Sequence, residues 1–357
     1  MSIKYNGGYI PAVGADGTTL VANSASATGV AWAGPSGAAG KNFVINGGMD
    51  IWQRNTTFTS PSNFSYTADR WACYQGSTVT LSQETSNVPA GSRYALKMNA
   101  TGTQQMFIRQ VIETANTIPL AGKTITVSAQ IAASASTTLG FTIAYSTNVD
   151  ETVSTTGAWN TLTPTGGLNS GSYSNVPTTY VTLVGTYTVP SNAKSLLIYF
   201  GNFSATVTSG TSFYISQVQL ELGSVATPFS RAGGTLSGEL TACQRYYYRQ
   251  VVGSVYNNLA LGQAFDGTRA MLLWNLPVSM RTVPTSLETT GTASNYRVLF
   301  GSTAPACSVI PYLDTANTGT ITILATVAGG SGLTATNGCM LGANNVATAY
   351  LGVSAEL

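Results

Sequence analysis

Histidine is missing from the chain altogether. That removes the commonest general base and the commonest metal ligand together. Charge is scarce as well: Asp, Glu, Lys and Arg make up 8 % of the 357 residues, against roughly 25 % in an average soluble domain. The net charge of +2 supplies no field to gather nucleic acid or an anionic membrane. The four cysteines, Cys73, Cys243, Cys307 and Cys339, form no Cys-x-x-Cys pair, and without histidine a zinc site is not expected. They read as buried small hydrophobes. A Cys307–Cys339 bridge is the alternative, disfavoured because cytosolic assembly keeps thiols reduced. No apolar run reaches about 18 residues, so no membrane insertion is expected. The start, "MSIKYNGGYIPAVG", has no apolar stretch of the secretory kind.

Thr, Ser, Gly and Asn fill the space that charge leaves. Residues 1–41 are so rich in Gly, Ala, Ser and Thr that they cannot offset their own ordering entropy, and "PSGAAG" (35–40) reads as a linker. From Asn42 short β-rich runs alternate with Pro/Gly breaks, the texture of an all-β sandwich. "KTITVSAQIAA" (123–133) alternates cleanly, with Ile125, Val127, Ala129 and Ile131 on one face and Thr124, Thr126, Ser128 and Gln130 on the other. A second β block follows from Gly233, and "GELTACQ" within it suits one helical turn. The organisation read from this is a segment 1–41, a sandwich 42–232 and a distal β domain 233–357.

Four motifs stand in order: "NFVINGGMDIWQR" (42–54), "YTADRW" (66–71), "QLELGSVATPFSRAGGTLSGELTACQRYY" (219–247) and "YLGVSAEL" (350–357). With "GADGTTLVANSASATGVAWA" (14–33), they make the chain resemble bacteriophage tail-fibre and related virion-appendage proteins. "PFSRAGG" departs from the pattern, which more usually has an acidic residue after Phe and a second Arg. The resemblance implies a jelly-roll-like sandwich, a virion anchor at the N-terminus, a homotrimer, and recognition of host surface glycans by the outer domains. Location in the virion, after assembly in the host cytoplasm, follows from the same likeness.

Candidate chemistry is sparse. The only adjacent acids are Asp150 and Glu151, in a polar loop and on opposite faces if extended, so the paired carboxylates of a glycan-cleaving tailspike are not expected. No Gly-x-Ser-x-Gly elbow is present. "DTANTGT" (314–320) has oxygen ligands for calcium but no closing Glu, and turn chemistry explains it as well. No enzyme activity, metal or cofactor is expected. Sugar sites combine an aromatic face with amides and hydroxyls. Four loops have that mix, and their aromatics, Trp159, Tyr173, Tyr296 and Tyr312, are the candidate glycan contacts. In "ELTACQRYYYRQ" (239–250) a strand would place Arg245, Tyr247 and Arg249 on one face and Tyr246 and Tyr248 on the other. With no other basic cluster this is not a nucleic-acid platform. It reads as architecture, its aromatics packed in the sandwich or against a neighbouring protomer, with Arg245, Tyr247 and Arg249 the candidate subunit contact. In "ADRW", Trp71 reads as core, with Asp69 and Arg70 closing the sheet edge. The function expected is a phage fibre that binds glycan without cleaving it; the alternatives are a purely structural connector or decoration protein, and a glycan-cleaving spike.

Overall fold

The computed structural model describes, with side chains, residues 41–357 except 75–78, 104, 136, 156, 166–175 and 203–206; at 172–173 and within the first forty residues it describes strands of backbone only. In those forty residues Lys4–Tyr5 pairs with Gly8–Tyr9, and Thr19–Ala22 with Val30–Ala33, both antiparallel. The remainder of the expected anchor and linker lies outside the described residues.

The architecture is all-β, and the chain divides into two compact units. The first comprises Met1–Asp50, Thr56–Thr67 and Trp71–Glu239; the second comprises Ile51–Asn55, Ala68–Arg70 and Leu240–Leu357. The division therefore falls after Glu239 rather than at 232/233. Two short pieces of the early motifs also belong to the distal unit.

The first unit is an antiparallel sandwich. One sheet runs Val181–Thr188, Thr124–Ala133, Ser212–Leu222, Ala95–Ala100, Val79–Glu84, Thr57–Thr59. The other runs Asn160–Thr161, Leu139–Ser146, Ser195–Gly201, Phe107–Ile112, Ala72–Tyr74, with Ser172–Tyr173 also on Leu139–Ser146. Alternation decides what the sheets share. Phe141, Phe200, Ile108 and Cys73 are register partners in turn across the second sheet and point inward together. Phe141 meets Tyr187 of the first sheet at 6.0 Å between ring centroids, and Phe200 meets Trp71 edge-on at 6.1 Å. Trp71 is fully buried, as read from the sequence. The 124–133 strand keeps the expected inward Ile125, Val127, Ala129 and Ile131, yet Thr126 and Ser128 are buried too. The strand is central, flanked by 181–188 and 212–222, and the Thr126 hydroxyl donates to the Gly223 carbonyl at 2.8 Å.

The second unit is built on one six-stranded antiparallel sheet, Tyr296–Leu299, Gly338–Ala343, Asn258–Ala264, Arg269–Asn275, Thr320–Val327, Cys307–Ala316. A two-stranded ribbon, Tyr247–Val251 with Tyr350–Ser354, adds Leu351 and Val353 to its core. All four cysteines are free and buried, so Cys307 and Cys339 act as the small hydrophobes expected. "DTANTGT" closes a hairpin in which Asn317 Oδ1 accepts from the Gly319 and Thr320 amides, both at 2.8 Å, which is turn chemistry.

Candidate functional site

Residues of three of the motifs that carried the resemblance act as framework in the first unit. Asn42 satisfies its whole amide: Nδ2 donates to the Val218 and Ser230 carbonyls, and Oδ1 accepts from the Val44 and Leu220 amides. Gly47 lies so close to the 212–222 strand that a Cβ would stand 2.0 Å from the Val218 oxygen. Trp71 Nε1 donates to the Asn46 carbonyl at 3.1 Å. Arg231, in the departing "PFSRAGG", pairs with Asp50 at 2.8 Å. The Glu239 carboxylate accepts from the Asn46 and Gly233 amides, and burial pushes its pKa up. These groups are spent on one another.

The outward face of the second sheet is different. The residues alternating with the inward row are Thr142, Tyr199, Arg109 and Ala72, again register partners in turn. One step along, Gly201, Phe107 and Tyr74 share that face. Phe64 joins them from the loop before Trp71, its amide donating to the Cys73 carbonyl at 2.6 Å and its φ at 66°. The rings form a continuous group. Phe64 stacks on Tyr74 at 5.4 Å, Tyr74 meets Phe107 at 6.0 Å, and Phe107 meets Tyr199 edge-on at 6.2 Å. Gly201 makes this possible, because a Cβ there would stand 2.3 Å from the Phe107 ring and 2.2 Å from the Met106 oxygen.

In the middle of these rings sits the Arg109 guanidinium, 4.2 Å from the Tyr74 centroid, 5.4 Å from Phe64 and 5.8 Å from Tyr199. Arg109 is only 9 % exposed, whereas Phe64, Tyr74 and Tyr199 are half-buried and keep part of their surface in solvent. Its Nη1 donates to the Val153 carbonyl at 3.1 Å, and its Nε is shielded from solvent without any acceptor. Burial pushes the Arg109 pKa down, against the pull of the Tyr74 and Tyr199 hydroxyls. The same charge opposes the burial that carries the Cys73 thiol up to about 12. Flat apolar faces around hydrogen-bond donors are what a sugar ring needs: C–H faces stack, and hydroxyls or charged substituents accept.

The residues singled out from the sequence fare variously. Trp159 is half-buried, and its indole N–H is shielded without an acceptor. Tyr173 lies on a strand against Leu139, but its side chain is outside the described residues. Tyr296 is not available to a glycan: it is fully buried in the distal core, with its hydroxyl donating to the Tyr350 carbonyl at 2.6 Å and accepting from the Thr290 amide. Tyr312 is exposed, on an outer strand of the distal sheet. Asp150 accepts from the Thr114 amide and ties the loop to the segment at Thr114, while Glu151 accepts from Asn148 and Thr152 and holds its own loop. Sequence reading missed Arg109, Tyr74 and Tyr199 entirely. The available signal was an arginine, followed by a glutamine, inside a short strand of large apolar residues, "FIRQVI".

The expected contact surface on the tyrosine run is overturned for Tyr247. The strand begins at Tyr247, after a nine-residue helix Leu236–Gln244 in place of a single turn, and Tyr246 and Tyr247 are both fully buried. Arg54 covers the Tyr247 ring at 3.5 Å and Arg70 the Tyr246 ring at 3.6 Å. The Tyr247 hydroxyl donates to Glu288 at 2.7 Å and accepts from Arg249 Nε at 2.8 Å. Arg245 Nη1 donates to the Tyr246 hydroxyl at 3.0 Å, and Arg249 lies over Tyr350 at 3.9 Å. Arg70, at φ 71°, pairs with Glu356 inside the unit and closes no sheet edge. Aromatic bulk won over alternation because the rings stack beneath arginines of their own unit.

No protein-family model and no curated protein matches the chain. Part of it is similar to solved structures. The C-terminal family 22 carbohydrate binding module of Clostridium thermocellum Xyn10B is 15 % identical over 46 % of this chain and 94 % of its own, with TM-score 0.32. The CBM22-1 xylan-binding domain of Paenibacillus barcinonensis Xyn10C is 12 % identical over 53 % of this chain and 98 % of its own, also at 0.32. The enzymatically active domain of bacteriophage CBA120 tailspike protein 4 is 16 % identical over 51 % of this chain and 22 % of its own, at 0.33. None of these partial likenesses bears on what the chain binds.

Proposed function

We propose that the chain is a bacteriophage tail fibre or short virion appendage that recognises a host surface glycan without cleaving it. It joins the tail or baseplate through residues 1–41 and assembles as a homotrimer. The ordered motifs support the appendage part. The glycan part is carried by one observation, the cage of Phe64, Tyr74, Phe107 and Tyr199 around Arg109 on the outward face of the sandwich. A buried arginine of this kind costs several kcal/mol in desolvation. Three ring contacts at about 0.5–2 kcal/mol each and one carbonyl hydrogen bond offset much of that cost but supply no counter-charge. A cation held without a counter-charge among the described residues is a local conflict of the kind found at functional sites. Asp150 bonded to Thr114 and Glu151 bonded within its own loop favour binding without hydrolysis.

The test is a glycan array followed by calorimetry on the hits. Binding that falls at least about tenfold in Tyr74→Ala and Tyr199→Ala, with folding intact, supports the reading, since desolvated aromatic anchors dominate binding energy. Reducing ends released from host polysaccharide would convert it into a cleaving spike. A trimer that incorporates into tails but binds no glycan would leave only a connector.

A further inference from the structure

The cage holds a charge that no carboxylate among the described residues balances. Arg54, Arg70, Arg231, Arg249 and Arg269 each face a carboxylate. Among the described residues none lies within ion-pair distance of Arg109, whose neighbours are Tyr74, Tyr199 and Cys73. Nη1 is engaged by one backbone carbonyl, which carries no net charge, and Nε is shut in. Among the described residues Nη2 has no acceptor, and it is not shielded as Nε is. The guanidinium thus presents one donor edge beside half-exposed rings. A neutral sugar would cover this edge and leave the cation further desolvated without a counter-charge. An anionic group there forms a charge-assisted hydrogen bond and supplies the missing charge.

We infer that the Arg109 cage selects an acidic sugar, its ring against Tyr74 and Tyr199 and its carboxylate or sulfate ester on Arg109 Nη2. This rests on the glycan-binding reading above. Arg109 is then the specificity-determining residue and the rings supply affinity common to any sugar.

The experiment uses the full chain and matched oligosaccharide pairs: a glucuronate-containing chain with its carboxyl-reduced derivative, and a sulfated chain with its desulfated derivative. Wild-type protein should bind the charged member of one pair at least about tenfold more tightly, with affinity that falls as salt rises. The pair that shows the gap identifies the acid. Arg109→Gln should erase the gap between the charged and neutral members, whatever it does to the affinity for each, whereas Arg109→Lys should keep part of the gap. Equal wild-type binding within both pairs overturns the acidic-sugar inference while leaving glycan binding in place, as does a gap that survives in a folded Arg109→Gln. Failure to bind any member of either pair or any array glycan removes both. If Arg109→Gln does not fold, the wild-type comparison decides alone.

Discussion

Gly201 has no side chain, and that is what lets the Phe107 ring lie along the sheet between Tyr74 and Tyr199. A methyl group at Gly201 meets a backbone oxygen as well as the ring, so a rotamer change alone cannot clear it. Gly201→Ala should therefore cost about 1–3 kcal/mol or more. Chemical denaturation measures that cost, and glycan binding should weaken in the same variant because Phe107 is displaced. Tyr247 makes a second case. Its ring is buried under Arg54 and its hydroxyl is bonded to Glu288 and Arg249. Tyr247→Ala should lose about 3–5 kcal/mol of stability. In light scattering under native conditions the assembled mass should stay unchanged, because the side chain faces its own unit and not a neighbouring copy.

The loop that follows the Leu139–Ser146 strand joins stability to the site. Burial would raise the pKa of Glu151, but hydrogen bonds from Thr155, Asn148, the Thr152 amide and Ser146 prevail and hold it below the ordinary carboxylate range. A group whose folded pKa is depressed stabilises fully above its unfolded value, and that contribution is lost as pH falls through the folded one. Stability of the first unit should therefore decline on acidification below the usual carboxylate range, and Glu151→Gln should flatten that limb in denaturation midpoints measured against pH. The same loop supplies the Val153 carbonyl to Arg109. The Leu236–Gln244 helix shows how an element outgrows its sequence signal. "GELTACQ" suggests one turn; Thr235 adds a cap by accepting from the Gly238 amide at 3.0 Å, and the helix extends to nine residues.

At the scale of the whole molecule, the proposed trimer needs a surface, and the buried Tyr247 supplies none of it, although Arg245 and Arg249 beside it are partly exposed. The distal sheet offers one. On the face turned from its core, Leu261 and Leu273 are register partners, 62 % and 53 % exposed, and Tyr312 is 46 % exposed two strands away. An apolar row on an open sheet face is the kind of surface that partners cover. The double variant Leu261→Asp, Leu273→Asp should reduce the mass in light scattering from a trimer toward the 37.0 kDa chain. A wild-type protein already monomeric at micromolar concentration would end the trimer proposal. Deleting residues 1–41 should barely move the thermal midpoint, since so few large apolar residues are removed; a drop of more than a few degrees would place that segment in the folded body.

Composition and strand-length alternation determined the all-β class, the sandwich texture, the burial of Trp71 and the four small buried cysteines. Each follows from local rules: which residues suit a pleated surface, and which cannot be left in water. Within the ordered motifs, Trp71 is core as read, and Asn42, Arg231 and Glu239 are held by hydrogen bonds to neighbours in the same unit. The cage was decided only by tertiary structure. Phe64, Tyr74, Arg109 and Tyr199 span 136 positions, and their meeting depends on which strands pair and in what register. Period-2 alternation says that Tyr199 and Arg109 each leave the inward face of their own strand. It cannot say that Tyr199 stands opposite Arg109, because strand order is set by the energy of the whole sheet and not by any segment of the chain.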